Sequence, residues 1–201
     1  RVKICGITRL EDALLAARLG ADALGFNFWP RSSRYLAPEA ARAIVDRLPP
    51  FVTPVGVFVD QPPEELRAIA AASGVRVLQL HGDEPPAQVA GLPLPVVKAI
   101  RVSGRPSLDL LAFYEVSAFL LDAPSSGFGG SGRTFDWELA GDAAERHRVV
   151  LAGGLDPENV VAAIRAARPY AVDVASGVES SPGVKDPARM ARFIVRAKEA
   201  A

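Results

Sequence analysis

Short apolar runs alternate with longer amphipathic stretches along the whole of this chain. Runs rich in Val, Ile, Leu and Phe at residues 2–5, 23–28, 54–59, 77–80, 96–100, 118–122, 149–152 and 171–174 have the length and β-branched content of buried strands. Between them, stretches rich in Ala, Leu and Arg place apolar residues at helical spacing over 11–19, 38–48, 63–72, 108–114, 157–167 and 187–198. The units after the fourth and sixth runs look short or irregular. Pro38, Pro63, Pro157 and Pro187 stand where helices begin, the position that needs no backbone N–H, and Asp156 and Asp186 precede two of them as N-caps.

Repeated strand-helix alternation predicts an α/β protein with a parallel sheet, and eight strands favour a closed, single-domain (β/α)8 TIM barrel over residues 1–201. A doubly wound open sheet is the alternative. At 201 residues the barrel has about 25 residues per unit, so it must be nearly free of insertions against the ~250 typical of the fold.

Composition narrows the function. Lys+Arg and Asp+Glu are both 23, so no net field draws a polyanion, and a nucleic-acid partner is not expected. Cys5 is the one cysteine and His81 and His147 the two histidines, too few for an internal disulfide or a Cys/His zinc cluster. A reducing, cytoplasmic setting follows, with no metal. No apolar run approaches the ~18 residues of a membrane helix, and the opening RVKICGIT shows no signal-peptide core, so no membrane partner is expected. The sequence opens on Arg1 rather than Met, which leaves room for further residues ahead of the first strand.

In a barrel of this kind ligands sit at the carboxyl ends of the strands, which directs attention to the polar groups there. Cys5 ends the first strand, Asn27 and Arg34 follow the second, Asp60 ends the third and His81 the fourth. Lys98 lies within the fifth strand, Arg101 ends it, and Asp122 closes the sixth. A thiolate is a competent base, but its unperturbed pKa near 8.5 demands activation, and a lone cysteine in an apolar strand is commonly inert core. Asp122 after AFLL would be costly to bury without a partner, so it reads either as a group at the barrel mouth or as a loop cap. Arg34 could clamp a carboxylate with its planar fork or simply be solvated, and His81 is either a mouth residue or a satisfied structural histidine.

Glycine speaks more strongly. Gly153 and Gly154 follow the seventh strand, and Ser176 and Gly177 follow the eighth, the two loops where such barrels hold phosphate on backbone amides. By contrast GFGGSG at 127–132 matches a dinucleotide fingerprint only formally. No helix opens directly behind it and no acidic residue stands about 20 positions on, so a glycine-rich loop over the site fits better. Neither Ser125 nor Ser176 sits in a nucleophile elbow, and a serine triad has no support.

Along its whole length the chain resembles the phosphoribosylanthranilate isomerases. The resemblance rests on KICGIT at 3–8, SRY at 33–35, VGVFV at 55–59, QLHG at 79–82, LLD at 120–122, GGSG at 129–132, GGL at 153–155 and VDVASGVE at 172–179, in that order. It implies an isomerase of tryptophan biosynthesis that works without a cofactor on a phosphosugar-anthranilate substrate, as a monomer or a homodimer. Cys5 would then be the general base, Asp122 the general acid and Arg34 the holder of the anthranilate carboxylate. Gly153, Gly154, Ser176 and Gly177 would form the phosphate site, with His81 beside the substrate. Such chemistry requires a protonated Asp122 and a Cys5 thiolate, against the reference pKa values of both. Two other readings share the glycine loops: another phosphosugar isomerase or synthase, and a silent phosphosugar-binding barrel. Cys5 together with Asp122 separates the resemblance from both.

Overall fold

The computed structural model describes residues 1–123 and 136–200; the glycine-rich 127–132 segment and Ser125 lie outside them. Eight parallel strands close into a barrel in sequence order: β1 (Val2–Ile4), β2 (Ala23–Asn27), β3 (Thr53–Phe58), β4 (Val77–Leu80), β5 (Val96–Arg101), β6 (Ala118–Asp122), β7 (Val149–Leu151) and β8 (Ala171–Val174). Pairing of β1 with β8, Lys3 opposite Asp173, closes the ring and excludes the open sheet.

Around the barrel run α1 (Leu10–Arg18), α2 (Pro38–Val45), α3 (Pro63–Ser73), α4 (Pro86–Val89), α5 (Trp137–Ala144), α6 (Val160–Ala167) and α7 (Pro187–Glu199). Pro38, Pro63 and Pro187 each open a helix, and the Asp186 carboxylate caps α7 by accepting from Arg189 N at 2.9 Å. Two expectations need correction. The α-helix read at 108–114 is a 3-10 helix over Arg105–Phe113, and α6 starts at Val160 rather than at Pro157. Asp156 caps the turn ahead of α6 rather than the helix itself, accepting from Glu158 N at 2.7 Å and Asn159 N at 2.9 Å; Pro157 falls in that turn, and Asn159 is the N-cap residue. A further hairpin, β9 (Glu179–Ser181) with β10 (Val184–Lys185), turns through Pro182 and Gly183 between β8 and α7. Among the described residues no helix is long and apolar enough to cross a membrane.

Side chains alternate along each strand, so the barrel has two cores. Ile4, Leu24, Phe26, Leu78, Leu121 and Leu151 face outward and bury against the helices. Ala99, Ala118, Leu120, Val150, Ala152 and Ala171 pack inside the barrel. That apolar filling is interrupted at β1 and β8, where Lys3 Nζ bonds Asp173 Oδ1 at 2.9 Å with both side chains buried.

Candidate active site

Cys5 follows β1 with its own N–H bonded to Val174 O, which fixes the residue at the carboxyl-end mouth of the barrel. Asp122 ends β6, on another side of the ring. One cavity at this mouth is lined by Cys5, Arg34, His81, Asp122, Gly153, Gly154 and Ser176. Seven residues chosen from sequence thus meet around one space. Gly177 does not line it. Asn27 does, with its Oδ1 taken by Trp29 N at 2.9 Å.

The remaining charged residues read in or at the ends of strands have other partners. Lys98 is buried outside the barrel, where it bonds Glu84 Oε2 at 2.8 Å and Gly82 O at 2.7 Å. Asp60 Oδ1 accepts from Asp83 N at 2.6 Å, and Arg101 pairs with Asp83 at 3.0 Å. These contacts join the loops after β3, β4 and β5 beside the cavity.

Asp122 is held with its two oxygens in different roles. Oδ1 accepts from Ala123 N at 2.8 Å, so Oδ2 is the oxygen free to carry a proton. His81 Nε2 stands 3.3 Å from Oδ2 without the geometry of a hydrogen bond, and that nitrogen is otherwise unpartnered among the described residues. Gln79 Nε2 lies 3.2 Å from His81 Nδ1; an amide donating there makes Nδ1 the acceptor and puts a neutral ring's proton on Nε2, facing Asp122.

Arg34 is engaged already. Its Nε donates to Glu179 Oε1 at 2.9 Å and its Nη2 to Oε2 at 2.6 Å, a two-pronged bond that leaves Nη1 outside the pair. Lys185 Nζ bonds the same carboxylate at 2.7 Å and also the Cys5 carbonyl. Burial works against the Glu179 charge, but Arg34 and Lys185 outweigh it and hold the carboxyl below its ordinary range. Gly6 completes the arrangement: a Cβ there would overlap the Arg34 side chain.

The two glycine loops differ in why they need glycine. Gly153 and Gly154 have φ of +83° and +64°, a left-handed pair that ordinary residues resist. A Cβ on Gly153 would also come 2.8 Å from Asp122 Oδ1, so this loop packs directly on the carboxylate. Asn159 staples the turn by donating to Gly154 O at 2.8 Å. At Gly177 the demand is close approach, since a Cβ would overlap the Leu155 carbonyl oxygen and crowd Asp156 Cα at 3.1 Å. Gly177→Ala therefore has to push the loops after β7 and β8 apart. It should lower stability by about 1–3 kcal/mol, as overpacking does, and, on the reading of these loops as a phosphate site, weaken inorganic phosphate binding measured by calorimetry. A thermal midpoint and phosphate affinity equal to the parent's would show that the loops separate without cost.

Lys3, Gln79, Asp173 and Glu179 were not singled out from sequence. Lys3 was the most accessible of them, since residues two apart on a strand share a face and Lys3 must point inward with Cys5.

The chain matches the family model described as N-(5'phosphoribosyl)anthranilate (PRA) isomerase over residues 2–196. It is 52% identical over 200 residues to an N-(5'-phosphoribosyl)anthranilate isomerase of Pelobacter propionicus, covering 99% of this chain and 96% of the relative. Among solved structures it is similar to a phosphoribosyl anthranilate isomerase from Thermotoga maritima, with 48% identity, a TM-score of 0.94 and coverage of 99% and 98%. Another phosphoribosyl anthranilate isomerase structure, at 46% identity, a TM-score of 0.90 and coverage of 99% and 98%, is a complex with reduced 1-(o-carboxyphenylamino)-1-deoxyribulose 5-phosphate.

Proposed function

The chain belongs to the N-(5'-phosphoribosyl)anthranilate isomerase family, and on that premise we propose that Cys5 and Asp122 divide the two proton transfers of its reaction between them. The reaction is the Amadori rearrangement of N-(5-phosphoribosyl)anthranilate to 1-(2-carboxyphenylamino)-1-deoxyribulose 5-phosphate in tryptophan biosynthesis, an aldose-ketose isomerisation run by general acid-base catalysis. Asp122 Oδ2 gives its proton to the furanose ring oxygen, and the C1–O bond breaks to leave a Schiff base. Cys5 then takes the proton from C2, and the resulting enolamine tautomerises to the ketone. The observation that carries this reading is the shared cavity, with a thiol after β1 and a carboxylate at the end of β6 on the same space.

The rest of the cavity supplies binding. Arg34, fixed by Glu179, turns its remaining N–H groups to the anthranilate carboxylate, and the loops carrying Gly153, Gly154, Ser176 and Gly177 take the phosphate. His81 sits against Asp122 and the substrate. We place the activity in a single catalytic domain over residues 1–201, in the cytoplasm, as a monomer or a homodimer and with no cofactor. The test is turnover of N-(5-phosphoribosyl)anthranilate by the purified protein, followed by loss of the substrate's fluorescence; a folded protein without turnover overturns the reading.

Arg34→Ala should raise KM and lower kcat/KM together, because a charge-assisted bond to a carboxylate is worth about 1.5–3 kcal/mol. Glu179 keeps Lys185 as a partner, so the fold should survive the loss. Arg34→Lys should not restore activity, since a point-like ammonium cannot hold Glu179 in a fork and still present donors to the substrate. Unchanged kinetics in Arg34→Ala would leave the residue as a structural partner of Glu179.

A further inference from the structure

Two buried charges sit inside the barrel where its neighbours use alanine, leucine and valine. Lys3 and Asp173 form their ion pair directly across the β1–β8 seam, with Lys3 on the same face of the strand as Cys5. Ion pairs are costly to bury, and an apolar pair would fill this space at no such cost. The position of the charge is informative. A Cβ added to Gly25 on β2 would lie 2.7 Å from Cys5 Sγ and 3.1 Å from Lys3 Nζ, so both atoms border the small space which that glycine leaves open. Asp173 and Cys5 line the substrate cavity and Lys3 does not, which puts the ammonium beneath the thiol, out of reach of a ligand.

We infer that Lys3 is a positioning residue for the proton transfer at Cys5: its ammonium, anchored by Asp173, holds the negative charge that Sγ carries as a base. This rests on the reading of Cys5 as the base. In the step itself, Sγ takes the C2 proton, the C2–H pair becomes the C1–C2 double bond, and the Schiff-base nitrogen accepts the displaced π pair. Lys3 gives up no proton; it stays charged throughout.

The charges around Sγ are consistent with that role. Burial wins and holds the Cys5 thiol above its ordinary range; among the charges around it Lys3 pulls back most strongly, Asp173 opposes, and Lys185 adds a smaller pull. Arg34, from the loop after β2, and Lys185, from β10, are both committed to Glu179 on β9. Lys3 is paired as well, with Asp173, but its ammonium borders the same small space as Sγ and offers it the most direct positive charge. Burial works against the Lys3 charge too, but Asp173 and Cys5 outweigh it and keep the ammonium above its ordinary range, hence charged at neutral pH.

Cys5 is the protein's one cysteine and is partly exposed, so the pH dependence of its alkylation by iodoacetamide reads its ionisation in the substrate-free protein. Lys3→Met removes the charge at similar length, and Lys3→Met with Asp173→Asn guards against an unpaired buried carboxylate. The alkylation midpoint should rise by about one pH unit or more in Lys3→Met, and by less in the double variant, which also loses the opposing charge of Asp173, and the acidic limb of the kcat/KM profile should move with it. Lys3→Arg should return both towards the parent. An unmoved alkylation midpoint in folded Met variants overturns the inference, whether or not turnover is lost, and leaves Cys5 as base intact. A raised midpoint with an unmoved kcat/KM profile would uphold the coupling of Lys3 to Cys5 and overturn Cys5 as the base.

Discussion

Cys5→Ser is expected to cost at least the ~10²- to 10⁴-fold in turnover that accompanies loss of acid-base catalysis. Serine keeps the size of the side chain and leaves the backbone bond from Cys5 N to Val174 O in place, so the barrel mouth should retain its shape. What changes is acidity. An alcohol does not ionise near neutral pH, and the cations that surround the thiol, Lys3 foremost, cannot bring it within range. Substrate affinity should change little, because Arg34 and the glycine loops are untouched. Rate measurements on a variant shown to be folded by circular dichroism would decide the matter. Near-native turnover would reduce the thiol to packing and make His81, on the same cavity, the next base to test.

The strands were readable from sequence because each is a local signal: eight apolar runs, each followed by its own connection, favour a ring, and the pairing of β1 with β8 settles it against an open sheet. Where the reading slipped, tertiary geometry had overridden local pattern. Residues 108–114 carry apolar positions at helical spacing, yet the connection from β5 to β6 is a 3-10 helix over Arg105–Phe113. Such a helix rises ~2.0 Å per residue against ~1.5 Å for an α-helix, so a short segment reaches further along the barrel. At residues 179–185 the Pro182-Gly183 turn signal was there to be read, but strands of two and three residues leave no periodicity to detect.

The site divides in the same way. Cys5, Asp122, Gly153, Gly154 and Ser176 could be placed at the mouth because a strand end is a local position and a barrel assigns it a meaning. Their electrostatic partners could not. Lys3 and Asp173 are 170 residues apart, and Arg34 and Glu179 145 apart, so the pairs exist only once β1 closes against β8 and the β9–β10 hairpin folds back over the mouth. Arg34 shows the consequence most clearly: the sequence leaves it as either a clamp for a carboxylate or a solvated side chain, and the structure finds a fork whose first carboxylate is the protein's own.

Asp122→Asn should abolish most turnover while leaving the phosphate site in working order. The carboxamide oxygen can still accept from Ala123 N, as Oδ1 does now, so the residue should keep its orientation against the Gly153 loop. Its other atom becomes an amide nitrogen, which has no proton of useful acidity to give the ring oxygen, and ring opening loses its acid. The fall should again be ~10²- to 10⁴-fold, in kcat more than in KM, because an interaction made chiefly in the transition state is the one removed. Inorganic phosphate should bind to Asp122→Asn as it does to the parent and more weakly to Gly177→Ala, a contrast that separates chemistry from anchoring. The amide now beside His81 Nε2 is the one local change to watch, since a ring with its proton on that nitrogen would meet a second donor and must shift it to Nδ1 or turn. Loss of phosphate affinity along with turnover would mean that Asp122 holds the β7 loop in place rather than supplying the proton, and the acid would have to be sought elsewhere in the cavity.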